Sequence, residues 1–205
     1  AVSRAPPDFV GRTLVDFARV RAVMGVGWGA SGTTAPFLSM GPDGLVVDNA
    51  TGEILAYVGS ADFFNDAVFG QNDGIQMRRQ PGSALKPFIY AEAFHRGYTP
   101  ATVIPDLETA FNAPKGSYTP KNYDRRLHGP VRAREALANS YNVPAVRVAE
   151  EVGLGNALTV LQRAGFESLK LGAEHYGLGL ALGNGEVPLW EAARAYAGLA
   201  RGGVV

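Results

Sequence analysis

The 205-residue chain contains no cysteine. That absence excludes disulfides, thiolate metal sites and a cysteine nucleophile, and it suits cytoplasm and bacterial periplasm equally. An excess of charge of either sign is also missing, with 19 Lys plus Arg against 19 Asp plus Glu. Nothing marks the chain as a polyanion binder, so nucleic acid is not an expected partner. No apolar run reaches the length of a membrane span, and the N-terminus lacks the basic and apolar regions of a signal peptide. There is no initiator methionine, and the chain reads as a piece of a longer one. The three histidines, His95, His128 and His175, are scattered without metal-ligand spacing, so no metal site is expected.

What is present suffices for one domain or a large part of a bigger one, since 46% of the residues are hydrophobic. Residues 1–44 read as a lead-in. It has a faint helical period through Phe9, Val10, Leu14 and Phe17, then a loop rich in Gly, Thr and Pro. Residues 25–30 fit G-x-G-x-x-A, but the stretch that follows does not look like the helix a dinucleotide fingerprint requires. Two apolar runs, 45–47 and 54–58, flank Asn-Ala-Thr-Gly and predict a β-hairpin. Residues 60–82 look irregular. A helix is predicted over 83–96 with Leu85, Phe88, Ile89 and Ala93 on one side and Pro87 in its tolerant first turn. Residues 97–130 carry five prolines and read as a long ordered excursion. Four helical segments follow, at 131–140, 142–153, 155–165 and 187–203. The chain is therefore mixed α and β.

Chemistry concentrates at Gly82-Ser83-Ala84-Leu85-Lys86. Serine and lysine three apart share a helix face. Ser83 would stand at the helix start, where free N–H groups favour developing negative charge. A neutral Lys86, its pKa lowered by burial, could take the serine's proton. Gly82 would let the backbone turn sharply into the helix. Ser-x-x-Lys alone is a common chance match, and an N-cap serine beside a solvated lysine would look the same. Ser140-Tyr141-Asn142 adds a hydroxyl and a carboxamide two residues apart between helices, suited either to relaying a proton and binding an amide or to capping those helices.

In context, these motifs with residues 118–148 closely resemble the transpeptidase domain of bifunctional (class A) penicillin-binding proteins, nearest to their 1C branch. The hairpin region and residues 176–203 extend the likeness over about residues 45 to 203. The resemblance implies an α/β penicillin-binding transpeptidase fold, related to serine β-lactamases, with an antiparallel sheet flanked by helices. Residues 45–205 would be its N-terminal and helical part, holding two strands of that sheet. It implies a D,D-transpeptidase in which Ser83 is acylated, Lys86 deprotonates it, and Ser140 and Asn142 assist proton transfer and peptide binding. Gly82, Asn122 and Tyr123 would line the cleft. The implied partners are peptidoglycan stem peptides and β-lactams. The implied setting is the periplasmic face of the bacterial inner membrane, in a membrane-anchored protein that also carries a glycosyltransferase domain. No cofactor is implied. The family's third motif, Lys-Thr/Ser-Gly, is absent from these residues and is expected beyond Val205, so the 205 residues alone are expected to be inactive. Two alternatives stay open: a non-catalytic relative that binds peptidoglycan or a partner, and a serine β-lactamase or carboxypeptidase.

Overall fold

A computed structural model describes residues 44–60, 62–113 and 116–203. Residues 1–43 of the lead-in, with its faint helical period and its glycine fingerprint, lie outside the described residues, and its last residue, Gly44, opens the first strand.

The predicted hairpin is present. Strands β1 (Gly44–Val47) and β2 (Ile54–Val58) pair antiparallel, with Leu45 opposite Tyr57 and a register shift at Val46/Val47. Asp48 organises the turn: its Oδ1 accepts the Ala50 and Thr51 N–H groups at 2.8 and 2.7 Å, and Gly52, at φ 78°, returns its N–H to the Asp48 carbonyl. A side chain at that φ would be strained. On the inner face Leu45 packs with Ile75, Leu189 and Ala193 in a small core of its own.

The helix expected from residue 83 divides in two. Gly82–Leu85 form a 3₁₀ turn, and the α-helix α1 (Lys86–His95) follows, with Pro87 in its first turn. Helix α1 runs through the main core and is buried almost all round, through Phe88, Ile89, Tyr90 and Ala93. Around it stand α3 (Asn142–Val152), α4 (Leu154–Arg163) and a second 3₁₀ segment, Gly177–Leu182. Phe88 meets Phe166 and Tyr196 edge to face, at centroid distances of 5.1 and 5.4 Å.

The proline-rich excursion is more regular than its sequence suggests. Strand β3 (Val103–Asp106) pairs with β6 (Gly129–Arg132), and β4 (Phe111–Ala113) with β5 (Gly116–Tyr118), both antiparallel. Pro105 sits directly opposite Pro130, a pairing that suits two residues with no N–H to give. Besides the hairpin, four further strands are described, and the six form three separate two-stranded sheets. The segment predicted to be helical from 131 opens as the end of β6 before α2 (Ala133–Ala138). The short α5 (Ala173–Tyr176) and the glycine-rich 3₁₀ segment after it were not expected. The last described helix is α6 (Leu189–Ala200).

Candidate active site

Ser83 is the second residue of the 3₁₀ turn. Its side chain is exposed, and its hydroxyl takes no hydrogen bond from the described residues. Gly82 before it has φ 57°, a left-handed conformation that favours glycine and swings the chain into the turn. The Lys86 N–H closes the turn onto the Ser83 carbonyl. That bond puts Lys86 one turn on from Ser83, and among the described residues no hydrogen bond joins the two side chains.

Lys86 is the unusual group. It is 1% exposed, and its Nζ donates to the Ser140 carbonyl at 2.6 Å, the Ser140 hydroxyl at 3.1 Å and Asn142 Oδ1 at 2.7 Å. All three acceptors are neutral. Burial pushes the Lys86 pKa from 10.5 down to about 7, so a neutral amine is available near physiological pH.

The acceptors are placed by the way α2 ends and α3 begins. Ser140 N–H bonds to the Leu137 carbonyl and Tyr141 N–H to the Ala136 carbonyl, the Schellman closure of a helix. Ser140 occupies the left-handed position of that closure at φ 56°, where glycine is usual and a serine costs about 1–2 kcal/mol. The strained turn aims both the carbonyl and the hydroxyl of Ser140 at Lys86. Asn142 is the first residue of α3. Its carboxamide spans the cleft floor, accepting from Lys86 and donating from Nδ2 to the Lys121 carbonyl at 2.8 Å.

Asn122, expected to line the cleft, instead lies beneath it. It is 4% exposed, and its Oδ1 caps α3 by accepting the Asn142 and Val143 N–H groups at 2.7 and 3.2 Å. Its Nδ2 donates to both Asp106 oxygens, at 2.9 and 2.8 Å, and to the Arg126 carbonyl at 2.8 Å. Every polar atom of that side chain is engaged, so its contacts assign it to holding the Ser140–Asn142 turn. Tyr123, by contrast, is fully exposed, and no hydrogen bond ties it to Lys86, Ser140 or Asn142. Sequence reasoning missed Asp106 and His128. The wholly buried Asp106 carboxylate also accepts the His128 N–H at 3.0 Å and contacts His128 Nδ1 at 2.6 Å. The His128 ring stacks on Tyr141 at 4.0 Å, and its Nε2 reaches Asp124 at 3.1 Å. Asp106 and His128 come from the paired strands β3 and β6 and their approach, and no short-range motif announces them.

A 340 Å³ cavity between α1 and α4, lined by residues such as His95, Arg96 and Arg163, contains none of these groups.

Comparison with known proteins identifies the family and the fold. The family model of the penicillin binding protein transpeptidase domain matches residues 44–205. Penicillin-binding protein 1A of Neisseria meningitidis serogroup A is 39% identical over 160 residues, which is 77% of this chain and 19% of that protein. Penicillin-binding protein 1C of Escherichia coli is 36% identical over 160 residues, 78% of this chain and 20% of that protein. The chain thus spans about a fifth of the length of the curated relatives it matches. Among solved structures, penicillin-binding protein 1A from Haemophilus influenzae superimposes with a TM-score of 0.68 at 32% identity, over 75% of this chain and 22% of that one. PonA1 of Mycobacterium tuberculosis in complex with penicillin V gives a TM-score of 0.67 over 97% of this chain and 50% of that one; at 18% identity it speaks for the fold alone.

Proposed function

The chain belongs to the penicillin-binding protein transpeptidase domain family, and on that premise we propose that it is the acyl-transfer domain of a peptidoglycan D,D-transpeptidase with Ser83 as nucleophile. The observation that carries this reading is Lys86: a buried lysine with its pKa brought to about 7, held against Ser140 and Asn142 one turn from an exposed serine whose hydroxyl has no hydrogen bond among the described residues.

The chemistry runs in two halves. Neutral Lys86 takes the Ser83 proton as Oγ attacks the carbonyl of the penultimate D-alanine of a stem peptide. The tetrahedral oxyanion collapses and breaks the C–N bond to the terminal D-alanine. The departing amine receives the proton held by Lys86, passed through the Ser140 hydroxyl. In the second half, an amine of a neighbouring stem gives its proton to the same base and attacks the acyl-Ser83 ester. The new amide forms, and the Ser83 oxygen leaves and is reprotonated. Asn142 orients the stem-peptide amide. Gly82 supplies the turn that exposes Ser83, and the fully exposed Tyr123 would be a further contact for the stem peptide. β-Lactams enter by the same acylation: the ring C–N bond opens, and the nitrogen takes the proton and stays attached to the acyl group, so nothing departs. The family setting, a membrane-anchored protein at the periplasmic face with a glycosyltransferase domain, belongs to the same proposal.

A time course with a fluorescent penicillin on the full-length protein tests it. A stable covalent label is expected. No label would indicate a non-catalytic module, and rapid gain and loss of the label would indicate a β-lactamase or carboxypeptidase.

A further inference from the structure

Between Pro81 and Pro87 the nucleophile turn has a defect in its hydrogen bonding. A 3₁₀ turn bonds each carbonyl to the N–H three residues on: Pro81 to Ala84, and Ser83 to Lys86. The next in the series would be Ala84 to residue 87, which is proline and has no N–H. A carbonyl left there without a partner would let the turn relax toward other geometries. The donor comes instead from 112 residues away, where the Tyr196 hydroxyl on α6 bonds to the Ala84 carbonyl at 2.9 Å in a buried position. Burial raises the Tyr196 pKa, so the phenol stays protonated and remains a donor. Its ring is set edge to face against Phe88, which fixes where the hydroxyl arrives.

A second contact holds the other end of the turn. Gly183, at φ 81°, closes the 3₁₀ segment Gly177–Leu182. A Cβ at Gly183 would collide with the N, Cα and O atoms of Gly82, so the two backbones lie directly against each other. Just upstream, Arg79 and Val187 exchange backbone hydrogen bonds at 3.1 and 2.9 Å. The stretch 183–196 therefore grips residues 79–84 at three points, all behind Ser83.

We propose that Tyr196 and Gly183 are positioning residues for the nucleophile. The Tyr196 hydroxyl serves the Ala84 carbonyl that Pro87 cannot, Gly183 lets the chain back onto Gly82, and together they fix where Ser83 presents its hydroxyl. The consequence for acylation rests on the transpeptidase reading; the effect on the turn itself does not. Both residues are buried against the backbone of the turn, so the grip should act on the chemical step and not on the affinity of the first encounter.

The test uses Tyr196→Phe, Gly183→Ala and, as a control, Gly177→Ala in the full-length protein. Gly177 also has a left-handed φ, 57°, but nothing lies within 4 Å of a Cβ placed there, so its variant carries backbone strain without the collision. Acylation by a fluorescent penicillin is resolved into the dissociation constant of the first complex and the first-order acylation constant. Hydrogen exchange is read at the Leu85 and Lys86 amides. Tyr196→Phe should slow the acylation constant about tenfold and Gly183→Ala more, against about 10²-fold for a misplacement of 1 Å. The dissociation constant should stay near wild type, and exchange at Leu85 and Lys86 should quicken. Gly177→Ala should melt earlier yet acylate normally. Wild-type acylation and exchange in Tyr196→Phe would overturn the proposal. So would a slowing in Gly177→Ala equal to that in Gly183→Ala, because the loss would then track stability alone. A wild-type protein that takes no label would sink the transpeptidase reading, and the exchange data would still decide whether the grip exists.

Discussion

Lys86 and Ser140, 54 positions apart in the chain, meet through two hydrogen bonds from one ammonium nitrogen: 2.6 Å to the Ser140 carbonyl and 3.1 Å to its hydroxyl. The lysine is buried by the core that α1 crosses, and the serine is aimed by a left-handed helix closure. Each explains an otherwise unfavourable feature of the other. The Ser140 turn supplies acceptors to a buried amine, and the amine occupies polar groups that the turn directs inward.

Acylation should follow the neutral form of Lys86. With its pKa at about 7, the acylation constant should rise with pH through about 7 and level off above it. Lys86→Arg should lose this rise along with nearly all of the rate, because a guanidinium stays protonated and cannot accept the Ser83 proton. Stopped-flow acylation from pH 5 to pH 9 checks both; a rate that falls through neutrality would make Lys86 a fixed charge.

The same burial has a cost in stability that falls as pH rises. In the folded state Lys86 titrates at about 7, and its unperturbed value is 10.5. Between those values the unfolded chain binds the proton and the folded chain does not, so the lysine's contribution to stability improves as pH rises across that window. Below about 7 the penalty is fully present. Lys86→Met should therefore gain stability relative to wild type most at pH 6, and the difference should shrink by about 1.4 kcal/mol per pH unit between pH 7 and 10. Urea denaturation at four pH values measures it; a pH-independent difference would contradict the burial argument.

Ser140 should show a trade between stability and rate. Ser140→Gly relieves the left-handed strain and should be more stable than Ser140→Ala by about 1 kcal/mol. Both remove the hydroxyl and should slow acylation to a similar degree. Thermal melts and acylation constants for the pair check this, and a fast Ser140→Gly enzyme would mean the hydroxyl carries no proton.

How much of this was readable in advance depends on the range of the interaction that decides each feature. The hairpin was legible because β-favouring runs flank a turn whose aspartate and glycine act within five residues. Helices α1, α3, α4 and α6 were legible from apolar period and glycine stops. The strands β3 to β6 were not, because Pro105 and Pro130 argue against strand locally and only their mutual pairing removes the objection. In the site, Ser83, Lys86, Ser140 and Asn142 stood out as motifs. The Asp106, Asn122 and His128 network beneath them did not, since it joins residues up to 22 positions apart that come together only once β3 pairs with β6. Asn122 stands out in the sequence, but nothing local distinguishes a rim asparagine from one buried under a helix end.

The most direct test of the account is the position of the covalent bond. Label the full-length protein with penicillin, digest it and locate the adduct by tandem mass spectrometry. The account predicts a single acyl adduct on Ser83, lost in Ser83→Ala while the melting temperature is kept. An adduct on Ser140 or any other residue, or undiminished labelling of Ser83→Ala, would contradict it.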